Sequence, residues 1–113
     1  VKALIERVER DIGPIHLLNY NIGAMLGSRS LEATSYGAFE RCWRMGTLGA
    51  FACAKELVPY MVRRGHGTVI YSSATAAFRG DAGQHAHTAA MAGRRMLAQS
   101  VAAELGASGI HVC

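Results

Sequence analysis

A chain of 113 residues has room for one small domain. Half of its residues are apolar, and twelve Lys and Arg stand against eight Asp and Glu, with five His. That balance excludes a disordered segment, which is poorer in apolar residues, and no apolar run approaches the roughly 20 residues of a membrane helix. The thirteen Gly are scattered and no heptad persists, which excludes a collagen-like or coiled-coil rod. Residues 1–10 are charged and amphipathic, unlike a secretory signal, so the expectation is a soluble, cytoplasmic protein.

Three Cys are an odd number without C-x-x-C spacing, so no disulfide framework is expected. Cys42 and Cys53 fall in an apolar helical stretch and read as small buried hydrophobes. Arg63-Arg64 and Arg94-Arg95 are the basic pairs. No aromatic residue is interleaved with them, so both read as solvated helix surface and not as a nucleic-acid patch.

In chain order, residues 2–10 place Leu4, Ile5 and Val8 on one side of an amphipathic helix, which Gly13-Pro14 stops. Residues 15–20 form a short apolar run, expected to be a strand covered on both faces. Residues 23–30 are loop-like. A long helix is predicted from an N-cap at Thr34-Ser35 to Arg64. Its apolar stripe runs through Phe39, Trp43, Ala50, Cys53, Leu57 and Met61, and Pro59 is expected to disturb its last turn. Gly65-His66-Gly67 ends it. Residues 68–73 read as a second buried strand and residues 73–84 as a loop. A second long helix begins at His85 or His87 and ends at Gly106, with Leu97, Val101 and Leu105 spaced four apart. Residues 110–113 open a third strand. Strands alternating with long helices predict parallel β-α-β units within one domain spanning residues 1–113.

Four local strings sit on this frame. Asn19-Tyr20-Asn21-Ile22-Gly23 follows the first strand, while Trp43-Arg44-Met45-Gly46 and Gly49-Ala50-Phe51 lie inside the long helix. Residues Gly67 to Ser73 enter the second strand, and Leu97-Ala98-Gln99-Ser100, Glu104-Leu105 and Gly109-Ile110-His111-Val112 stand near the end. In this order and spacing they resemble the central part of a short-chain dehydrogenase/reductase, across nearly all of the chain. The resemblance implies a partial, Rossmann-like, doubly wound α/β fold of three parallel strands with long flanking helices. It also implies NAD or NADP as cofactor and hydride transfer between alcohol and carbonyl.

The Gly-rich turn that seats the pyrophosphate in that family has no counterpart here, so binding of NAD or NADP by this chain alone is doubtful. By resemblance the chain runs from just before the family's fourth strand into its sixth, which implies a fragment. Asn21-Ile22-Gly23 matches the family's Asn-Ala-Gly motif and assigns Asn21 and Gly23 to the cofactor side. The family's catalytic helix carries Tyr-x-x-x-Lys, a spacing that puts both groups on one face. The Lys holds the nicotinamide ribose and lowers the Tyr pKa.

Alignment through Leu97-Ala98-Gln99-Ser100 places His87 at the Tyr position and Met91 at the Lys position. Ala74, with Ser73 beside it, stands where the family's substrate-orienting Ser falls, and Gly46 stands at its helix-kinking Asn. All four residue types are substituted. The expectation is therefore an oxidoreductase-family chain without turnover, or else a non-catalytic binding or dimerisation module. His87 reads as a partly exposed helix-start histidine. His85 and His87 have no further ligand nearby, so no metal site is expected. Resemblance also implies a homo-oligomer formed through the two long helices.

Overall fold

The computed structural model describes residues 1–113. Helix α1 (Lys2–Asp11) leads into β1 (Leu17–Tyr20), followed by α2 (Tyr36–Trp43), a π-helical turn (Arg44–Leu48) and α3 (Gly49–Arg64). Then come β2 (Gly67–Tyr71), a 3-10 turn (Thr75–Ala77), α4 (His85–Leu105), a second 3-10 turn (Gly106–Ser108) and β3 (Ile110–Val112). The strands lie parallel in the order β1-β2-β3. Leu18 stands beside Val69 and Val69 beside Val112, while Tyr20 stands beside Tyr71. Both crossovers step in the same direction, and the right-handed rule for such units puts α3 and α4 on one face of the sheet. The core sits between them, built from Ala50, Ala54, Leu57 and Met61 of α3 and Leu105 of α4 against Tyr20, Val69, Tyr71 and Ile110.

Within residues 1–113 no element lies on the other face, where the first strand is expected to be covered as well. Leu17, Asn19 and His111 are exposed while Leu18, Tyr20 and Val69 point into the core. The alternation is that of a sheet with one covered face. Likewise, Ile5 alone of Leu4, Ile5 and Val8 is buried. The strand also starts two residues later than expected, because the backbone of Ile15 is used elsewhere. Its amide donates to Glu9 Oε1 (2.9 Å) and its carbonyl accepts from Arg64 Nη2 (2.8 Å).

The long helix differs from its predicted form in two ways. Ser35 caps α2 as expected, its hydroxyl accepting from the Ala38 amide. After Trp43, however, the ladder widens for one turn, and the buried positions become Ala38, Cys42, Gly46, Ala50 and Ala54. Steps of four drift about 40° each around an α-helix of 3.6 residues per turn. A wide turn takes that drift back. The inserted residue shifts the inward face by one position, so Phe39 and Trp43, predicted for the buried stripe, stand exposed. Pro59 does not interrupt α3: it lies on the exposed side, and the helix continues to Arg64. Gly65 closes it at φ +74°, a conformation that only glycine adopts without strain.

The basic pairs are not solvated as pairs. Arg64 reaches back across the base of the sheet to Glu9, at 2.7 Å between Nη1 and Oε2, with both side chains mostly buried. Burial pushes the Glu9 carboxyl up, but the Arg64 hydrogen bond, the Ile15 amide and the charges of Arg64 and Arg63 together hold it below its ordinary value. A carboxyl depressed on folding contributes stability that is present above its unfolded pKa and lost as pH falls through the folded one. Glu9→Gln should therefore lose about 2 kcal/mol at pH 7. It should also lose less than the parent as pH falls below 4.5, the unperturbed value. Chemical denaturation at several pH values reads both effects, and equal acid sensitivity of parent and variant would exclude a role for this carboxylate.

Candidate functional site

The carboxyl ends of β1 and β2 meet the π turn and the first half of α4, and one side chain joins all four. Arg94 is 2% exposed. Its Nε donates to the Gly46 carbonyl (2.7 Å), Nη1 to Ser72 (2.9 Å) and Nη2 to Ile22 (2.6 Å). Its guanidinium also stacks over the Tyr20 ring at 4.9 Å. Ile22 lies just past the end of β1, Ser72 just past the end of β2, and Gly46 in the π turn. No carboxylate pairs with Arg94; three neutral carbonyls and a ring face are its partners. Burial lowers the pKa of the guanidinium and the Tyr20 hydroxyl raises it. Burial raises that of Tyr20, against the opposing Arg94 charge. The phenol therefore keeps its proton, which it donates to the Met45 carbonyl (2.5 Å).

The expectation of a solvated Arg94-Arg95 pair is thus wrong for its first member. Adjacent helical residues point about 100° apart, so only one can face the sheet. Arg94 stands three residues before Leu97 and seven before Val101, which puts it on the face of that stripe. That periodicity was the available signal for a buried arginine. Arg95 instead lies over the Phe78 ring at 4.4 Å.

Gly46 explains how closely the helices approach. A Cβ there would stand 2.6 Å from Ala90 Cβ and 3.1 Å from Ala24 Cβ. One residue further, the Thr47 hydroxyl donates to the Ala90 carbonyl (2.8 Å), and a Cβ on Gly93 would meet that same hydroxyl at 2.8 Å. The position that the resemblance gives to an asparagine therefore has no room for one.

The other predicted residues are placed as follows. Met91 is buried in a small apolar cluster with Ala24, Cys42 and Ala90, and Ala74 packs against that cluster. Positions 74 and 91 thus come together, but as hydrocarbon. His87 is half-buried one turn earlier on α4, beside a cavity of about 20 Å³ that Cys42, Gln84 and Arg29 also line. Its Nδ1 is buried without a hydrogen-bond partner, so neither a carboxylate nor an ammonium orients the ring. Ser73 is exposed and lines a separate cavity of about 220 Å³ with Tyr71, Phe78, Arg95 and Gln99.

Asn21 and Gly23 are exposed on the loop after β1. A Cβ on Gly23 would meet nothing, so no close backbone approach requires that glycine. The amide side chain nearest the junction of the strand ends is that of Asn19, whose Oδ1 is 3.5 Å from the Ser72 hydroxyl. The thioether at 91 therefore offers a nicotinamide ribose no donor and the methyl at 74 offers a substrate carbonyl none, so the residues present do not fit that half of the cofactor. His85 and His87 are not part of any group of three His, Cys, Asp or Glu side chains that could hold one ion. No helix is long and apolar enough to cross a membrane.

The family model described as short chain dehydrogenase matches residues 1–113. Nodulation protein G of Azospirillum brasilense is 28% identical over 111 residues, covering 98% of this chain and 45% of that protein. The structure of a short-chain dehydrogenase from Rhodopseudomonas palustris superposes with a TM-score of 0.93 at 28% identity, covering 99% of this chain and 52% of that one. A gluconate 5-dehydrogenase from Burkholderia cenocepacia, solved in complex with NADP and tartrate, gives a TM-score of 0.93 at 24% identity, over 98% of this chain and 43% of its own. This chain therefore spans about half the length of these proteins or less, and it reproduces their fold.

The contact at Gly46 can be tested by filling it. Gly46→Ala should cost about 1–3 kcal/mol through overpacking. Ala90→Gly in the same molecule should recover part of that loss despite its own helix penalty of about 1 kcal/mol. A denaturant double-mutant cycle measures the coupling, and strictly additive losses would show that the two backbones are further apart than described.

Proposed function

This chain belongs to the short-chain dehydrogenase family, and on that premise we propose that it is the central segment of an NAD(P)-dependent oxidoreductase fold that no longer supports the family's alcohol–carbonyl hydride transfer. The observation that carries this reading is Met91, 4% exposed and packed among Ala24, Cys42 and Ala90. An ammonium there would hold ribose and tune a neighbouring acid; a thioether does neither. Loss of such a preorganised charge from a dry site costs orders of magnitude in rate. His87 retains a titratable ring, but a general acid also needs an oriented proton and a held substrate. Neither Ala74 nor Met91 supplies the second.

A non-catalytic role in association is favoured by a different observation. Phe39, Trp43, Leu48 and Phe51 are exposed along the outside of α2, the π turn and α3, and Met96 is exposed on α4. Between α3 and α4 runs a groove of about 330 Å³ lined by Phe51, Val58, Val101 and Leu105. Clustered exposed apolar side chains on a soluble protein mark a surface that another chain covers. A second copy, meeting the first through these helices, is the proposed partner, and the cytoplasm the proposed location.

Titration of the chain with NADH and NADPH by calorimetry should give no micromolar binding, and carbonyl substrates should cause no consumption of either nucleotide. Consumption that His87→Phe abolishes would overturn the proposal, because His87 would then be a working acid. In light scattering the chain should run above monomer mass, and Phe51→Asp should lower that mass; a monomeric parent would remove the association role.

A further inference from the structure

Arg94 is a buried cation without an acidic partner, and buried charges are ordinarily paired. Its three hydrogen bonds engage each of its nitrogens once but leave its charge uncompensated. Met91 lies one turn earlier on the same face of α4; side chains three residues apart on a helix are neighbours. Both are buried. With 2% and 4% of their surfaces exposed, Arg94 and Met91 offer water little access to screen a second charge.

We propose that Arg94 is a positioning residue with two consequences: it fixes the carboxyl ends of β1 and β2 and the π turn in one geometry, and its charge excludes an ammonium from position 91. The groups facing this pair offer no compensation. Tyr20 of β1 presents a ring and a neutral phenol, and α2 presents the Cys42 thiol. The segment after β2 contributes the Ser72 carbonyl and Ala74, and His87 precedes on α4. None of these is a carboxylate. Like charges a few ångströms apart in a medium of low dielectric repel strongly. A lysine at 91 would have to discharge or drive the guanidinium off its carbonyls.

The residues at 46, 91 and 94 then form one set. Gly46 lets the π turn approach α4 closely enough for its carbonyl to reach Arg94 Nε. Arg94 in turn makes an apolar residue at 91 the compatible choice. This deepens the proposed function, since reinstating Tyr and Lys at 87 and 91 would not recreate the family's pair while Arg94 stays in place. It does not rest on the absence of turnover, so stability and not activity tests it.

The experiment compares Met91→Lys, Met91→Glu and Met91→Gln in the otherwise unchanged chain by thermal melting from pH 6 to pH 10. At pH 7 the lysine variant should melt roughly 10 °C or more below the glutamate variant, with glutamine near the parent. A lysine whose folded pKa is depressed below the unfolded value of about 10.4 binds more protons when unfolded, so the stability of Met91→Lys should rise steadily with pH. In Met91→Lys/Arg94→Met that rise should shrink, which a purely structural role of Arg94 would not produce. If Arg94→Met prevents folding, the three single variants at 91 still decide. A lysine variant that matches the glutamate variant, or that stays unfolded at pH 10 while the glutamine variant folds, would overturn the proposal: position 91 would then be selecting shape and not charge.

Discussion

A single guanidinium carries the junction on which this structure depends. Ile22 and Ser72 lie just past the strand ends and Gly46 lies in the π turn, and a backbone carbonyl shielded from water without a donor is costly. Arg94 meets the carbonyls of all three from one side chain, in the planar, multi-donor geometry that lysine lacks. The strand ends are therefore held by a side chain from α4 as well as by the sheet. The proximity of α4 to the π turn, the glycine at 46 and the neutral phenol of Tyr20 all follow from seating that group.

The opposite end of the sheet is tied by a different logic. Arg64 and Glu9 join the end of α3 to the end of α1, and both bond the backbone of Ile15. Here the charge is compensated, and the energetic return depends on pH. At the Arg94 end it is uncompensated, and the return depends on geometry alone. The two arginines were indistinguishable as members of basic dipeptides.

How much was legible in the sequence varies with the kind of signal. Element order, the parallel sheet and the family were all readable, because strand and helix periodicities and the strings around Asn21, Gly49 and Ser73 are local. The spacing also carries the expectation that His87, Met91, Ala74 and Gly46 stand at the family's Tyr, Lys, Ser and Asn positions. The inward face of α2 was not, since a one-residue widening of the helical ladder changes no composition yet moves burial from Phe39 and Trp43 to Ala38 and Cys42. Arg94 was missed because a charged residue inside an apolar stripe was weighed by its type and not by its place in the period.

Membership of the family is thus compatible with the proposed departure from its chemistry. The stabilising contacts of this chain are distributed over the core of α3, α4 and the strands, whereas the positions on which that proposal rests lie at one edge. The measurement that bears most directly on this account is hydrogen exchange at the Arg94 Nε–H, followed by nitrogen-15 magnetic resonance. A guanidinium held by three carbonyls and shielded from water should exchange orders of magnitude more slowly than the exposed Arg79, with a single sharp signal. Exchange as fast as that of Arg79 would mean that the side chain is free, and the junction would need another explanation.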